Sequence, residues 1–144
     1  MVVVILCIPV IFLGLILGVS FASGIIGILL FIALSAFWGL AFTGFPYAIA
    51  LKTANPGAVN SSFLLFFPFA FLTTAYLPKE ALTGWLATVS TYNPVTYLLA
   101  GLRSLTSDGW VVKDLAGAVI AILAVALLSQ TLAFQALKGR VKRG

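Results

Sequence analysis

Four apolar runs, separated by short polar stretches, dominate the pattern of hydrophobic and polar positions along the chain. A helix needs about 17 to 25 mostly apolar residues to cross a bilayer, and each run has about that length or more. The pattern therefore predicts an all-α membrane protein with one transmembrane domain. Its four spans are predicted at residues 2–19, 24–51, 61–77 and 115–137.

The first run has two interpretations. The small residues Ser20, Ala22 and Ser23 follow it, as at a signal-peptide cleavage site. No Lys or Arg precedes its apolar part, however, and a signal peptide normally has such a basic start. A membrane span is therefore favoured over a signal peptide. Gly14 and Gly18 are four residues apart, a spacing that favours close packing of another helix.

Gly44 and Pro46 lie near the end of the second run, where we expect a kink or an extension beyond the membrane. Ser35 and Gly39 in the same run form a second pair of small residues that another helix could approach.

The third run is rich in phenylalanine around a central proline, which bends a spanning helix. The aromatic side chains are interpreted either as packing for a kinked helix or as the wall of a cavity for an apolar substrate, and the two interpretations are compatible. The candidate pathway residues are Phe66, Phe67, Pro68, Phe69 and Phe71.

Residues 78–110 are too polar for a span and too apolar for an ordinary loop. An apolar helical face recurs at Leu82, Trp85, Leu86 and Val89. Asn93 can cap a second short helix whose first residue is Pro94. Tyr97, Leu98, Gly101, Leu102 and Leu105 should lie on or near its buried side. Each helix reaches only roughly 18 Å, so the pattern predicts an external re-entrant or interfacial hairpin between the third and fourth spans.

Composition agrees with a membrane protein. Hydrophobic residues make up 62% of the 144 residues and charged residues 8%, with a mean hydropathy of +1.22. The net charge of +5 comes from Lys52 and the C-terminal bases, because the bases and acids around the hairpin balance. The positive-inside rule then places the tail, the Lys52 loop and both termini in the cytoplasm. Bases that flank a span are ordinary topology signals, so no nucleic-acid partner is predicted.

The sequence lacks the residues of several kinds of active site. It has no histidine, one cysteine (Cys7), three scattered acids and no phosphate-binding loop. We therefore expect no enzymatic activity, no bound metal or cofactor, and a separate partner that supplies energy. Arg103 on the second short helix is interpreted either as one half of a structural ion pair or as a contact for an anionic headgroup or substrate.

Several short motifs of the second half resemble the membrane subunit of type-2 ABC exporters, most closely the branch that exports drugs, lipids and polysaccharides from bacteria. They are, in order, Pro68, Tyr76-Leu77-Pro78, Gly84-Trp85-Leu86, Asn93-Pro94-Val95-Thr96-Tyr97, Leu102-Arg103 and Gly109. The resemblance covers roughly residues 52–144.

The resemblance implies a six-span permease of which these four spans are the last four. Two permease copies, alike or different, would work with two ATP-binding-cassette ATPase subunits in the bacterial cytoplasmic membrane. ATP would be used by the ATPases, and the cargo would be a drug, lipid or glycan. The loop from Lys52 to Asn60, with Asn55 and Pro56, would contact the ATPase. The external gate hairpin would contain Trp85, Asn93, Pro94, Thr96, Tyr97 and Arg103.

The resemblance does not extend to the start of the chain. Family members begin with an amphipathic helix, two further spans and the main coupling loop, so we expect either a truncated or mis-started gene product, which is favoured, or a reduced form of the permease. The alternative is a small non-transporting membrane protein that acts in assembly or immunity. A membrane enzyme is third, because no nucleophile with a base or metal cluster is visible.

Overall fold

A computed structural model describes residues 2–62, 64, 66–73 and 84–141. In these ranges the regular elements are helices, and no strand occurs. The short turn after α6 is π-helical. The elements are α1 (Val2–Ile16), α2 (Gly24–Thr53), α3 (Pro56–Ser62), α4 (Phe66–Phe71), α5 (Trp85–Tyr92), α6 (Pro94–Arg103), the π turn (Ser104–Asp108) and α7 (Val112–Val141).

Two helices in the described ranges, α2 and α7, are long and apolar enough to cross a membrane. Each has 30 residues and is about 45 Å long. The predicted span at 2–19 corresponds to α1, whose 15 residues reach only about 22 Å. Within 61–77 the structure has the end of α3 and the short α4, and residues 63, 65 and 74–77 lie outside the description. Four spans and a re-entrant hairpin thus stay predictions.

Small residues allow α2 and α7 to pack closely along their length. Gly44 touches the backbone of α7, where an added Cβ would lie 2.5 Å from the carbonyl carbon of Ser129. The Ser129 hydroxyl, which is fully buried, donates a hydrogen bond to the Ala41 carbonyl of α2. Helix α2 continues through Pro46 to Thr53. The main role of Gly44 is therefore contact with α7.

Ser129→Ala is expected to lower the free energy of unfolding by about 0.5–1.5 kcal/mol, because it removes the hydrogen bond between α7 and α2. Thr131→Ala is the matched control, since the Thr131 hydroxyl is exposed and bonds only within its own helix, to Leu127. Unfolding of the purified protein in detergent measures both. If both variants lose the same free energy of unfolding, the Ser129 hydrogen bond does not hold the two helices together.

Helix α6 packs antiparallel against the first third of α7. A Cβ at Gly101 would lie 2.6 Å from the Ala118 Cβ, and one at Gly117 would lie 3.3 Å from the Tyr97 ring. In this register the first residue of α6 lies beside a point on α7 that is roughly 14 Å from the first residue of α7. The corner between α5 and α6 is therefore well inside the length of α7. The buried core joins α2, α6, the π turn and α7 through Leu34, Ala41, Leu98, Leu105, Ala118, Ile122 and Val125.

The two predicted pairs of small residues have different roles. Gly39 does receive another helix, since a Cβ there would lie 2.8 Å from a Val3 methyl of α1. Gly18 lies after the end of α1 with φ +88°, and an added Cβ at Gly14 would meet only Val19. Gly18 thus allows the chain to turn after α1. In the part of the chain that the structure describes, the prediction that Gly14 and Gly18 form a surface for packing another helix was wrong.

The turn between α1 and α2 is fastened to the π turn. The Ser23 hydroxyl donates to the Leu105 carbonyl at 2.6 Å, and the Ala22 amide donates to the Thr106 carbonyl at 3.1 Å. The end of the hairpin segment is therefore held at the same end of the bundle as the α1–α2 turn, and the α2–α3 connection lies at the other end.

Candidate functional site

The corner between α5 and α6 is built by Asn93 and Pro94, as the sequence predicted. The Asn93 side-chain oxygen accepts a hydrogen bond from the Val95 amide at 3.0 Å, and Pro94 is the first residue of α6. Proline suits this position because the amide that it lacks would have no partner in the helix. Asn93 is 3% exposed, so the cap is a buried element of the fold.

Asn93 also fastens the corner to the end of α4. Its side-chain amide donates to the Leu72 carbonyl at 2.8 Å, across 21 positions of the sequence. The Tyr97 hydroxyl adds a brace within the hairpin by donating to the Thr91 carbonyl at 2.8 Å. One buried side chain therefore caps α6 and joins it to the segment that carries the predicted pathway residues.

A mostly apolar cleft of about 340 Å³ opens at this joint. It brings Pro68, a predicted pathway residue, together with Asn93, a predicted hairpin residue. Its lining is Pro68, Leu72, Thr88, Val89, Tyr92 and Asn93. Thr88 and Tyr92 were not predicted to lie there, and only their spacing of four residues on one helix could have indicated it. The cleft has the chemistry to hold an apolar group.

Phe67 and Phe71, two further predicted pathway residues, do not line this cleft. The rings of Phe67 and Phe71 are exposed and stack on each other, with centroids 6.2 Å apart. Phe66 and Phe69 belong to α4, and their side chains lie outside the description. The prediction of a phenylalanine-lined pathway stays a prediction for these four residues.

The apolar face that the sequence predicted for α5 is largely exposed. Trp85 is 66% exposed and Val89 38%, whereas the buried residue of α5 is Ser90. Leu86 is half-buried, and Leu82 lies outside the described residues. In α6, Tyr97 is exposed, while the predicted burial of Leu98, Gly101 and Leu105 is confirmed.

Thr96 has an unpaired hydroxyl inside the protein. The residue is 4% exposed, and within the described structure its hydroxyl oxygen has no hydrogen-bond partner. A buried hydroxyl without a partner is destabilising by roughly 1–3 kcal/mol. Thr96, the fourth residue of the Asn-Pro-x-Thr motif, therefore weakens the fold at the corner that Asn93 stabilises.

Thr96→Val keeps the shape of the side chain and removes the unpaired hydroxyl, so it is expected to raise the free energy of unfolding by about 1 kcal/mol. Ser104→Ala provides the contrast, because the buried Ser104 hydroxyl donates to the Gly101 carbonyl at 2.8 Å and its loss should be destabilising. Both are measured by unfolding in detergent. If Thr96→Val instead lowers the free energy of unfolding by 1 kcal/mol or more, the assignment of an unpaired hydroxyl is contradicted.

Arg103 is exposed in the last turn of α6. A cation there interacts favourably with the carboxyl end of the helix dipole. Both of its predicted roles, an ion pair and an anion contact, stay predictions.

The predicted ATPase-contact loop lies at the other end of the bundle. Helix α2 ends at Thr53, and the chain turns at its C-cap Ala54, which has a φ of +50°. The Asn55 side chain then accepts a hydrogen bond from the Gly57 amide at 2.8 Å. Pro56 begins α3, and its side chain lies outside the description. Lys52 shares a cleft with Arg140 of α7. Two of the bases that account for the predicted net positive charge thus lie together at this end of the bundle.

Metal-ligating side chains do not cluster in the described ranges, where no group of three or more His, Cys, Asp or Glu residues occurs. The site is therefore described by its shape and hydrogen bonds.

The fold is that of an apolar helical protein with two helices of spanning length and a short helical pair docked on one of them. The chain is similar to two proteins of Mycobacterium tuberculosis, strains CDC 1551/Oshkosh and H37Rv, each described as a probable doxorubicin resistance ABC transporter permease protein, DrrC. Each is 27% identical over 107 residues, which are 74% of this chain and 39% of the relative. The chain therefore spans about two fifths of the length of these relatives. No family model and no solved structure matches it.

This similarity, together with the apolar helices, supports a membrane protein and a permease subunit of an ABC transporter. Such permeases in general work with an ATPase partner. The resemblance that the sequence motifs carry and the similarity to DrrC thus agree on the class of protein.

Proposed function

We propose that this chain supplies the C-terminal helices of a type-2 ABC exporter permease, and that α5 and α6 form the external gate of its pathway. The observation that carries the proposal is the double role of Asn93. Its side chain caps α6 through Val95 and also holds the Leu72 carbonyl next to α4. A movement of the segment around Pro68 would therefore be transmitted directly to the hairpin.

The cargo in this proposal is a hydrophobic or amphipathic molecule, such as a drug, a lipid or a glycan. The apolar cleft at Pro68, Tyr92 and Asn93 supports this chemistry, because its lining offers few polar groups. The mycobacterial relatives are described as probable doxorubicin resistance permeases, which supports a cargo of this chemistry.

The energy in this proposal comes from a separate ATPase that binds ATP, and the working exporter contains a second permease copy. The loop of Lys52, Asn55 and Pro56 is proposed as a minor ATPase contact. It is supported by the position of Lys52 at the end of the bundle opposite the hairpin. The proposal places this end in the cytoplasm of a bacterium and the hairpin on the outer side of its inner membrane.

Co-purification tests the proposal. The tagged full chain, expressed in its own host and extracted in mild detergent, should bring down an ATP-binding-cassette ATPase, and inactivating that ATPase should abolish the export phenotype. A non-transporting assembly or immunity protein predicts the opposite result. The chain would then be recovered without an ATPase, and its phenotype would persist after the ATPase is inactivated.

A further inference from the structure

The ends of α2 and α7 opposite the hairpin separate and leave a polar cleft of about 550 Å³ between them. Lys52 lines it from α2, and Gln135 and Arg140 line it from α7. Leu51 and the buried Ala136 supply an apolar floor, and Gly139 leaves the cleft open, since an added Cβ there would meet nothing within 4 Å.

The two bases of this cleft lack a nearby carboxylate in the described structure. The sequence has three acids, Glu80, Asp108 and Asp114. The two that the structure describes lie at the start of α7 or just before it, about 40 Å from Arg140 along the helix. The carboxyl ends of α2 and α7 also lie here, and their partial negative charge disfavours an anion, so any attraction must come from side chains. Lys52 and Arg140 are therefore the groups through which the cleft would attract an anion.

An apolar groove continues from this cleft along the outside of the two helices. Leu51 lines both the cleft and a smaller groove of about 140 Å³, whose other walls include Tyr47, Phe134 and Leu137. These three side chains are exposed, so the groove is open to the surroundings of the helices. The two bases at the helix ends thus lie next to an apolar surface along the helices. An amphiphile with an anionic head requires this pattern.

From this arrangement we infer that the cleft binds an anionic phospholipid. Its phosphate lies between Lys52 and Arg140, and an acyl chain follows the groove beside Leu51. Arg140 also lines a second cleft of about 500 Å³ toward Asn55 and Asn60 of the α2–α3 connection, so the same guanidinium has room to approach the headgroup from either side. The inference does not depend on the proposed exporter function, because it uses only the bundle end and its bases.

Native mass spectrometry of the full chain in detergent tests the inference with defined probes. Phosphatidylglycerol should bind saturably at one site, and phosphatidylcholine with the same acyl chains should bind more weakly. Lys52→Gln and Arg140→Gln should each weaken phosphatidylglycerol binding about fivefold, since one base near an anionic surface contributes about 1 kcal/mol. The double variant should weaken it roughly twenty-five-fold.

Lys138→Gln is the matched control, because it removes the same charge from the same helical turn at a residue that lines neither cleft. The affinity of Lys138→Gln for phosphatidylglycerol should stay within about twofold of that of the unchanged protein. Gly139→Leu gives an independent variant that fills the cleft and keeps both bases, and it should also weaken binding. A loss for Lys138→Gln as large as that for Arg140→Gln would overturn the inference in favour of diffuse charge attraction.

Two further probes separate the lipid from other anions. Inorganic phosphate should compete only weakly, because it cannot use the groove beside Leu51. An acidic peptide, which represents a carboxylate-rich segment of an ATPase, should not displace phosphatidylglycerol at equal concentration. If either probe binds as tightly as the lipid and loses binding in the Lys52→Gln Arg140→Gln variant, the cleft is a site for that anion and the lipid assignment is wrong.

Discussion

Gly44→Ala is expected to lower the free energy of unfolding by about 2 kcal/mol, and Gly44→Leu by more. The added Cβ would lie 2.5 Å from the Ser129 carbonyl carbon and 2.6 Å from its oxygen. Non-bonded carbon atoms prefer a separation of about 3.5–4.0 Å. Because these are backbone atoms of the opposite helix, the strain is relieved only if α2 and α7 move apart along their whole contact.

Gly139→Ala is the control for Gly44→Ala. It introduces the same methyl group into the helical partner α7 at a position where nothing lies within 4 Å. Alanine favours a helix over glycine by about 1 kcal/mol, so this variant should be neutral or stabilised by up to that amount. Chemical unfolding of both proteins in mixed detergent micelles measures the difference. Equal stability of the two variants would contradict the close contact of α2 with α7.

Asn93→Ala is expected to have the second large effect. It should lower the free energy of unfolding by about 3 kcal/mol and abolish transport. It removes the N-cap of α6, which is worth about 1 kcal/mol, and leaves the partly buried Leu72 carbonyl without its donor. Asn93→Ser separates the two effects. Serine retains an oxygen that can cap the helix but is too short to reach Leu72, so α6 should persist while its link to α4 is lost.

Asn55→Ala is the matched control for the corner, because Asn55 precedes Pro56 as Asn93 precedes Pro94 and also accepts a backbone hydrogen bond. Asn55 is exposed, so only the cap should be lost, at about 1 kcal/mol or less. Unfolding measurements and export of a fluorescent amphiphile by the assembled transporter are the readouts. If Asn55→Ala and Asn93→Ala are equally impaired in stability and export, the link between hairpin and α4 has no special role.

The sequence predicted those features that depend on local chemistry. The capped Asn93–Pro94 corner needs only an acceptor side chain followed by a residue with a helical φ, and both are visible in the sequence. The long helices α2 and α7 follow from uninterrupted apolar runs. The stop after the hairpin likewise follows from Gly109, whose φ of +86° ends the π turn.

Features that depend on distant partners were not predictable in the same way. The exposed Trp85 and Val89 show why, since apolar periodicity marks a face that avoids water but does not tell whether protein or lipid covers it. Gly44 and Pro46 together led to the prediction of a kink or an extension beyond the membrane, because only neighbours in the sequence were visible. Its contact with Ser129 joins residues 85 positions apart, and nothing in either local segment indicates that pairing.

The site combines both kinds of feature. The cap of α6 was visible in the sequence, whereas the hydrogen bond from the Asn93 side-chain amide to the Leu72 carbonyl depends on where α4 docks. Thr88 and Tyr92 line the cleft for the same reason. The sequence thus identified the corner, and the fold supplies what the corner touches.

The most direct test of the account is the side of the membrane on which each end of the bundle lies. In a Cys7→Ser background, Ser107→Cys places a thiol in the π turn and Asn60→Cys places one at the basic end, both at exposed positions. A membrane-impermeant thiol reagent added to intact cells should label Ser107→Cys, and Asn60→Cys only after the membrane is opened. Labelling of Asn60→Cys from outside, with Ser107→Cys protected, would put the hairpin in the cytoplasm and contradict its role as an external gate.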